Sequence, residues 1–176
     1  MSKVMEKDPL IVSTSDLGPL KPGLTLVDAW KSQPRPNMSR SFFLGPTPNS
    51  QFRRDPNEFL CPGAAVGIDH DGILRHVHPS NRLKGFTGFL ITNLEEGRAL
   101  VTVRGRTLLK IEDLNRGDEH KKVYALGVNR FVLSPQAGAY EIGQIIFIQP
   151  DRVGIACVEF KSFDDPEPLD LRINNQ

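Results

Sequence analysis

From Gly63 to Phe160 the chain is written as short apolar runs broken by glycines and polar turns, the punctuation of closely spaced β-strands. The runs predict strands at Ala65–Ile68, Ile73–Val77, Phe89–Leu94, Ala99–Val103, Thr107–Ile111, Lys122–Leu126, Arg130–Leu133, Ile142–Gln149 and Gly154–Phe160. They are rich in Val, Ile and Phe, side chains suited to a pleated, half-buried surface. Turn signals separate them at Asp71-Gly72, Glu96-Gly97, Arg104-Gly105, Arg116-Gly117-Asp118, Gly127-Val128-Asn129 and Pro150-Asp151, because Gly accepts positive φ and Pro or Asp initiates turns. Alternation of apolar and polar positions is clearest in Leu100-Val101-Thr102-Val103-Arg104 and in Arg130-Phe131-Val132-Leu133. In contrast, Ile145-Ile146-Phe147-Ile148 is apolar on both faces, which places that strand at a sheet centre or beneath a covering segment. The expected fold is mainly β, a small antiparallel barrel or sandwich over residues 63–160.

Residues 1–62 follow different rules. Nine of the 14 prolines fall there, at positions 9, 19, 22, 34, 36, 46, 48, 56 and 62, each fixing φ and deleting a backbone donor. Yet the same stretch holds Trp30, Phe42, Phe43, Phe52 and Phe59, which need burial. It reads as a long Pro-rich extended arm packed on another surface, or as an irregular lid over its own domain. Short helices are plausible only at Leu24–Lys31, after Pro22, and at Asp55–Phe59, behind an Asp cap. Residues 161–176 form an acidic, proline-broken tail, expected to be mobile or laid along the surface.

Composition narrows the function. A chain of 176 residues with 39% apolar and 24% charged positions suits one globular core. With 22 basic against 21 acidic residues, the net charge of +1 supplies no global drive toward nucleic acid or an anionic membrane. No apolar run approaches the roughly 18 residues of a membrane span. Cys61 and Cys157 have no paired or zinc-ligand spacing, so free thiols in a reducing cytoplasm are expected.

Candidate chemistry is sparse. Asp69, His70, His76 and His78 could supply a metal-assisted hydrolase if a carboxylate folded across the Asp71-Gly72 turn toward the two histidines. The bland reading is a hairpin with solvent-facing histidines. Arg116-Gly117-Asp118 matches a receptor-read tripeptide but is also ordinary turn composition. Cys157, within Ile155-Ala156-Cys157-Val158, reads as a small core residue. Neither a nucleophile elbow nor a phosphate-binding glycine loop is present, so neither an enzyme nor a cofactor is expected. The aromatics and arginines of the arm point to protein contact instead, since those residue types anchor interfaces. Trp30, Arg40, Phe42, Phe43, Phe52, Arg53, Arg54 and Phe59 are the expected partner-binding residues.

Three glycine-aliphatic stretches carry a family resemblance: Pro62-Gly63-Ala64-Ala65-Val66-Gly67, Gly85-Phe86-Thr87-Gly88-Phe89, and Gly97-Arg98-Ala99-Leu100-Val101-Thr102-Val103-Arg104-Gly105. To these are added Gly117-Asp118 with Val123-Tyr124-Ala125, Phe131, Ile142-Gly143-Gln144-Ile145, and Gly154-Ile155-Ala156-Cys157-Val158. Together they resemble the capsid decoration, or cement, proteins of tailed bacteriophages over somewhat more than half of the chain. The resemblance implies a β domain that binds the outside of the assembled head, bridges major capsid protein subunits and forms a homotrimer. It also implies synthesis in the host cytoplasm and a place on the virion exterior, with no membrane and no direct nucleic-acid contact. The other class left open, besides the hydrolase, is a carbohydrate-binding or adaptor module of a phage tail.

Overall fold

The computed structural model describes residues 47–150 and 153–169, with the backbone of Ile11–Val12 and Ser41–Phe43. Twelve strands follow in order: β1 (Ile11–Val12), β2 (Ser41–Phe43), β3 (Asn49–Arg53), β4 (Ala65–Asp69), β5 (Leu74–His76), β6 (Leu83–Leu94), β7 (Arg98–Thr102), β8 (Arg104–Lys110), β9 (Lys122–Gly127), β10 (Arg130–Val132), β11 (Tyr140–Ile148) and β12 (Ile155–Lys161). The nine strands expected after Gly63 correspond to β4 through β12, and the fold is mainly β. One sheet has seven strands in the order β1-β2-β8-β12-β11-β9-β10, and the other has five in the order β3-β7-β6-β4-β5. Among the described strands, β1 and β2 pair in parallel and the other strand pairs are antiparallel. Each sheet curls: Arg54, just past β3, bridges Leu74 in β5, and Ile111, just past β8, bridges Phe131 in β10.

Strand alternation explains how the sheets stack. In β4, Ala65 faces the core shared by the two sheets, while its neighbour Val66 faces a second cluster inside the curl of the five-stranded sheet. Phe89 and Leu90 divide in the same way in β6, as a period of two requires. Phe86, Phe89 and Phe160 meet edge to face at the centre of the shared core, with centroids 4.8–6.2 Å apart. β11 lies between β12 and β9, the central placement its two apolar faces called for. Ile145 points into the shared core and Ile146 into a third cluster with Leu108, Ile155 and Cys157. Burial pushes the Cys157 thiol up to about 12, so it behaves as a small apolar side chain.

Three local expectations are corrected. β6 begins at Leu83, not Phe89, because Gly85 and Gly88 lie within the strand without ending it. A Cβ at Gly88 would come within 2.1 Å of the Thr102 carbonyl oxygen, and one at Gly85 within 2.5 Å of the Phe163 ring. Arg104-Gly105 is the start of β8 and not a hairpin turn: β7 and β8 belong to different sheets, and only Val103 separates them. Asp55–Phe59 forms no helix. Asp55 Oδ1 accepts the Asn57 N–H and the Asp55 carbonyl accepts the Glu58 N–H, but Arg54 takes the carbonyls of Asp55, Pro56 and Glu58 that a continuing helix would use. The expected helix at Leu24–Lys31 lies outside the described residues.

The body also begins earlier than Gly63. β3 pairs along its whole length with β7, from Asn49 opposite Thr102 to Arg53 opposite Arg98, and Leu60 is buried in the second cluster. Residues 49–62 thus fold on their own domain. At the other end, the acidic tail is laid on the surface as far as residue 169. Arg104 pairs with Asp165 at 2.8 Å and donates to the carbonyls of Glu167 and Pro168, while Lys161 Nζ donates to those of Asp165 and Glu167.

Candidate docking surface

The most exposed aromatic among the described residues is Phe59, at 75%, and the chain around it is firmly held. At the end of β3 the backbone turns the Arg54 side chain inward, where the residue is only 5% exposed. Its guanidinium donates from Nε to the Arg98 carbonyl at 3.0 Å, from Nη1 to those of Asp55 and Glu58 at 3.1 Å, and from Nη2 to that of Leu94 at 3.0 Å. Among the described residues no carboxylate pairs with it. A planar fork with five N–H donors can satisfy such a ring of acceptors. The Phe59 ring lies over this guanidinium, with 4.7 Å from Cζ to centroid, so one ring face is occupied by a cation–π contact. Beyond Phe59 the loop is pinned again. The Leu60 N–H donates to Asn93 Oδ1 at 3.0 Å while Asn93 Nδ2 donates to the Leu60 carbonyl at 2.8 Å. The Cys61 N–H donates to His76 Nε2 at 2.9 Å, and the Gly63 N–H to the Leu90 carbonyl at 2.8 Å.

Phe59 therefore stands beside an open groove of about 980 Å³, walled by Pro56, Leu60, Pro62 and Leu94 and closed by the Glu95-Glu96-Gly97 turn. Glu96 adopts φ 60°, a left-handed conformation costly for a residue with a Cβ. The turn was legible as Glu96-Gly97; the strain at Glu96 left no sign in the sequence.

Of the expected partner-binding residues, Phe59 and Arg53 are exposed at this end of the body. Arg54 is committed to holding the loop, and Phe52 packs against the second cluster, so both act in the fold. Phe42 and Phe43 are described by backbone alone, opposite Leu108 and Thr107 of β8. Trp30 and Arg40 lie outside the described residues.

The Asp and His cluster is used in local structure. Asp69 Oδ1 accepts the N–H groups of Asp71 and Ile73, and Oδ2 accepts Arg75 Nε at 3.0 Å. Burial alone would raise the Asp69 carboxyl; these hydrogen bonds outweigh it and hold it below the ordinary value. His76 receives the Cys61 N–H, His78 Nδ1 pairs with Ser80 Oγ at 2.7 Å, and His70 is exposed. Among the described residues no three His, Cys, Asp or Glu side chains are grouped to hold a metal. Arg116–Asp118 forms a 3-10 turn. Asp118 accepts the Asn115 N–H at 2.7 Å and pairs with Lys121 at 2.8 Å, and those bonds lower its pKa. Cys61 is exposed, Cys157 is buried, and both are free. No helix among the described residues is long and apolar enough to cross a membrane.

No family model, curated protein or solved structure matches this chain.

Proposed function

We propose that this chain is a decoration protein of a tailed-phage head, a homotrimer that binds the outside of the capsid and bridges major capsid protein subunits. The observation that carries the docking role is Phe59, held in water on a loop pinned at both of its ends. Exposing an aromatic forgoes about 1.5–3 kcal/mol of burial, and fixing its loop beforehand removes ordering cost from association. Both features suit an anchor awaiting a protein surface. The identity of that surface rests on the resemblance. Its glycine-aliphatic stretches run through β4, β6, β7, β11 and β12, and Gly67, Gly88 and Gly143 sit where a Cβ would meet backbone at 1.8–2.2 Å. Those residues specify a rigid body, while the loop between β3 and β4 offers the contact.

The test is to add purified chain to heads assembled without it and to measure cosedimentation. The wild-type chain is expected to bind, and Phe59→Ala to bind roughly tenfold to hundredfold more weakly, with a melting temperature lowered by no more than about 1–4 °C through the lost contact with Arg54. Equal binding by the variant would remove Phe59 from the interface. Binding to host surface glycan in place of heads would favour a tail adaptor.

A further inference from the structure

The seven-stranded sheet is buried on both faces of β8, β12 and β11, and the described residues account for the cover of only one. On the inner face Leu109, Ile145, Val158 and Phe160 meet Phe86 and Phe89 of the five-stranded sheet in the shared core. Alternation turns Leu108, Ile146, Ile155 and Cys157 the other way. Among the described residues their cluster is drawn from β8, β11 and β12 alone, which are neighbours within the one sheet. Side chains standing next to each other on an outward sheet face stay open to water unless a further layer lies over them. These four are between 1% and 6% exposed. Glu159, two residues past Cys157 and so on the same face, is buried as well, its carboxylate accepting Arg106 Nε at 2.9 Å.

The missing layer follows from how β1 is joined to β2. The two are parallel neighbours, with Ile11 in register with Ser41, and β2 lies beside β8, with Phe42 in register with Leu108. A hairpin cannot join parallel neighbours; the chain between them has to return across one face of the sheet. The shared core fills the inner face, which leaves the outer one. We propose that residues 13–40 of this same chain, which lie outside the described residues, dock on the outer face of β8, β12 and β11 with Trp30 as their anchor. The segment has the side chains for it. Leu26, Val27 and Trp30 fall at spacings that share one helix face, and Trp30 is the largest apolar side chain between Val12 and Ser41. Trp30 then completes the chain's own body, and the inference stands whether or not the protein binds heads.

The experiment uses the full chain with Cys61→Ser, so that Cys157 is its one thiol. Photoreactive p-benzoylphenylalanine placed at position 30 should crosslink to peptides of β8, β11 or β12. A mixture of isotope-labelled and unlabelled copies should show that the crosslink lies within one chain. In a second measurement, Cys157 should resist an aromatic disulfide reagent while Trp30 is in place and react roughly tenfold faster or more in Trp30→Ala, since modification tracks local opening. Both rates are read well below the melting temperature of each protein, and the crosslink decides alone where Trp30→Ala does not fold. Crosslinks to other elements, or none, would overturn the proposal. Crosslinks joining labelled to unlabelled copies would also overturn it, by making a second copy the occupant. Rapid modification of Cys157 with Trp30 in place would do the same, since the face would then be open for a different protein, as would equal rates in the two chains.

Discussion

Arg54 shows how one side chain can organise a surface. Its donors hold carbonyls on β7, on the loop after β3 and at the end of β6, so losing the fork leaves several acceptors unpaired at once. Arg54→Lys keeps the charge but not the planar geometry, and we expect a loss of about 2–3 kcal/mol in urea unfolding. His76 gives the same loop a pH dependence. Burial holds its imidazole below the ordinary 6.5, with His78 adding to the effect and Glu58 opposing it, and neutral Nε2 accepts the Cys61 N–H. The folded state thus binds fewer protons than the unfolded chain. Its contribution is complete above about 6.5 and is lost as pH falls through the lower folded value. Melting curves between pH 8 and 5 should show a decline that His76→Gln reduces; parallel curves for the two proteins would remove His76 as the source. At this scale the sequence was partly legible. Phe59 could be named from composition, but Arg54 was expected to anchor a partner, because its acceptors are carbonyls scattered from Asp55 to Arg98.

Among the elements, periodicity recovered what burial on two faces dictates. β4, β7, β9 and β12 were readable to within a residue or two because their apolar positions are dense. β6 was cut short because glycine ordinarily weakens a strand, whereas Gly85 and Gly88 admit the Phe163 ring and the Thr102 carbonyl. β3 was hidden altogether. Asn49, Ser50, Gln51 and Arg53 are polar, Phe52 is its single large apolar residue, and prolines stand on either side. Its pairing with β7 is long-range and leaves no local pattern. That pairing has a consequence for truncation. A fragment spanning 63–176 lacks β3, Arg54 and Leu60, exposing the second cluster and one edge of β7. We expect no cooperative melt from it, while a fragment spanning 47–176 should melt cooperatively. A cooperative transition in the shorter piece would show that β3 is dispensable to the body.

For the whole molecule, two curled sheets sharing an aromatic core give a body whose glycines allow close backbone approach. At Gly143 a Cβ would stand 1.8 Å from the Glu159 carbonyl oxygen, so β11 and β12 approach there as only glycine permits. A body of this kind is suited to bearing load, and on the proposed reading the Phe59 loop is where it meets a neighbour. The resemblance to head decoration proteins draws on the body, while the proposed contact draws on Phe59, which the sequence named, and on the pinned loop that holds it, which the sequence did not disclose. The most direct measurement is the copy number of this chain in purified virions, by quantitative mass spectrometry against the major capsid protein. The account predicts hundreds of copies per particle, released from the head exterior before the shell itself dissociates. Absence from the particle, or a handful of copies confined to the tail, would contradict it.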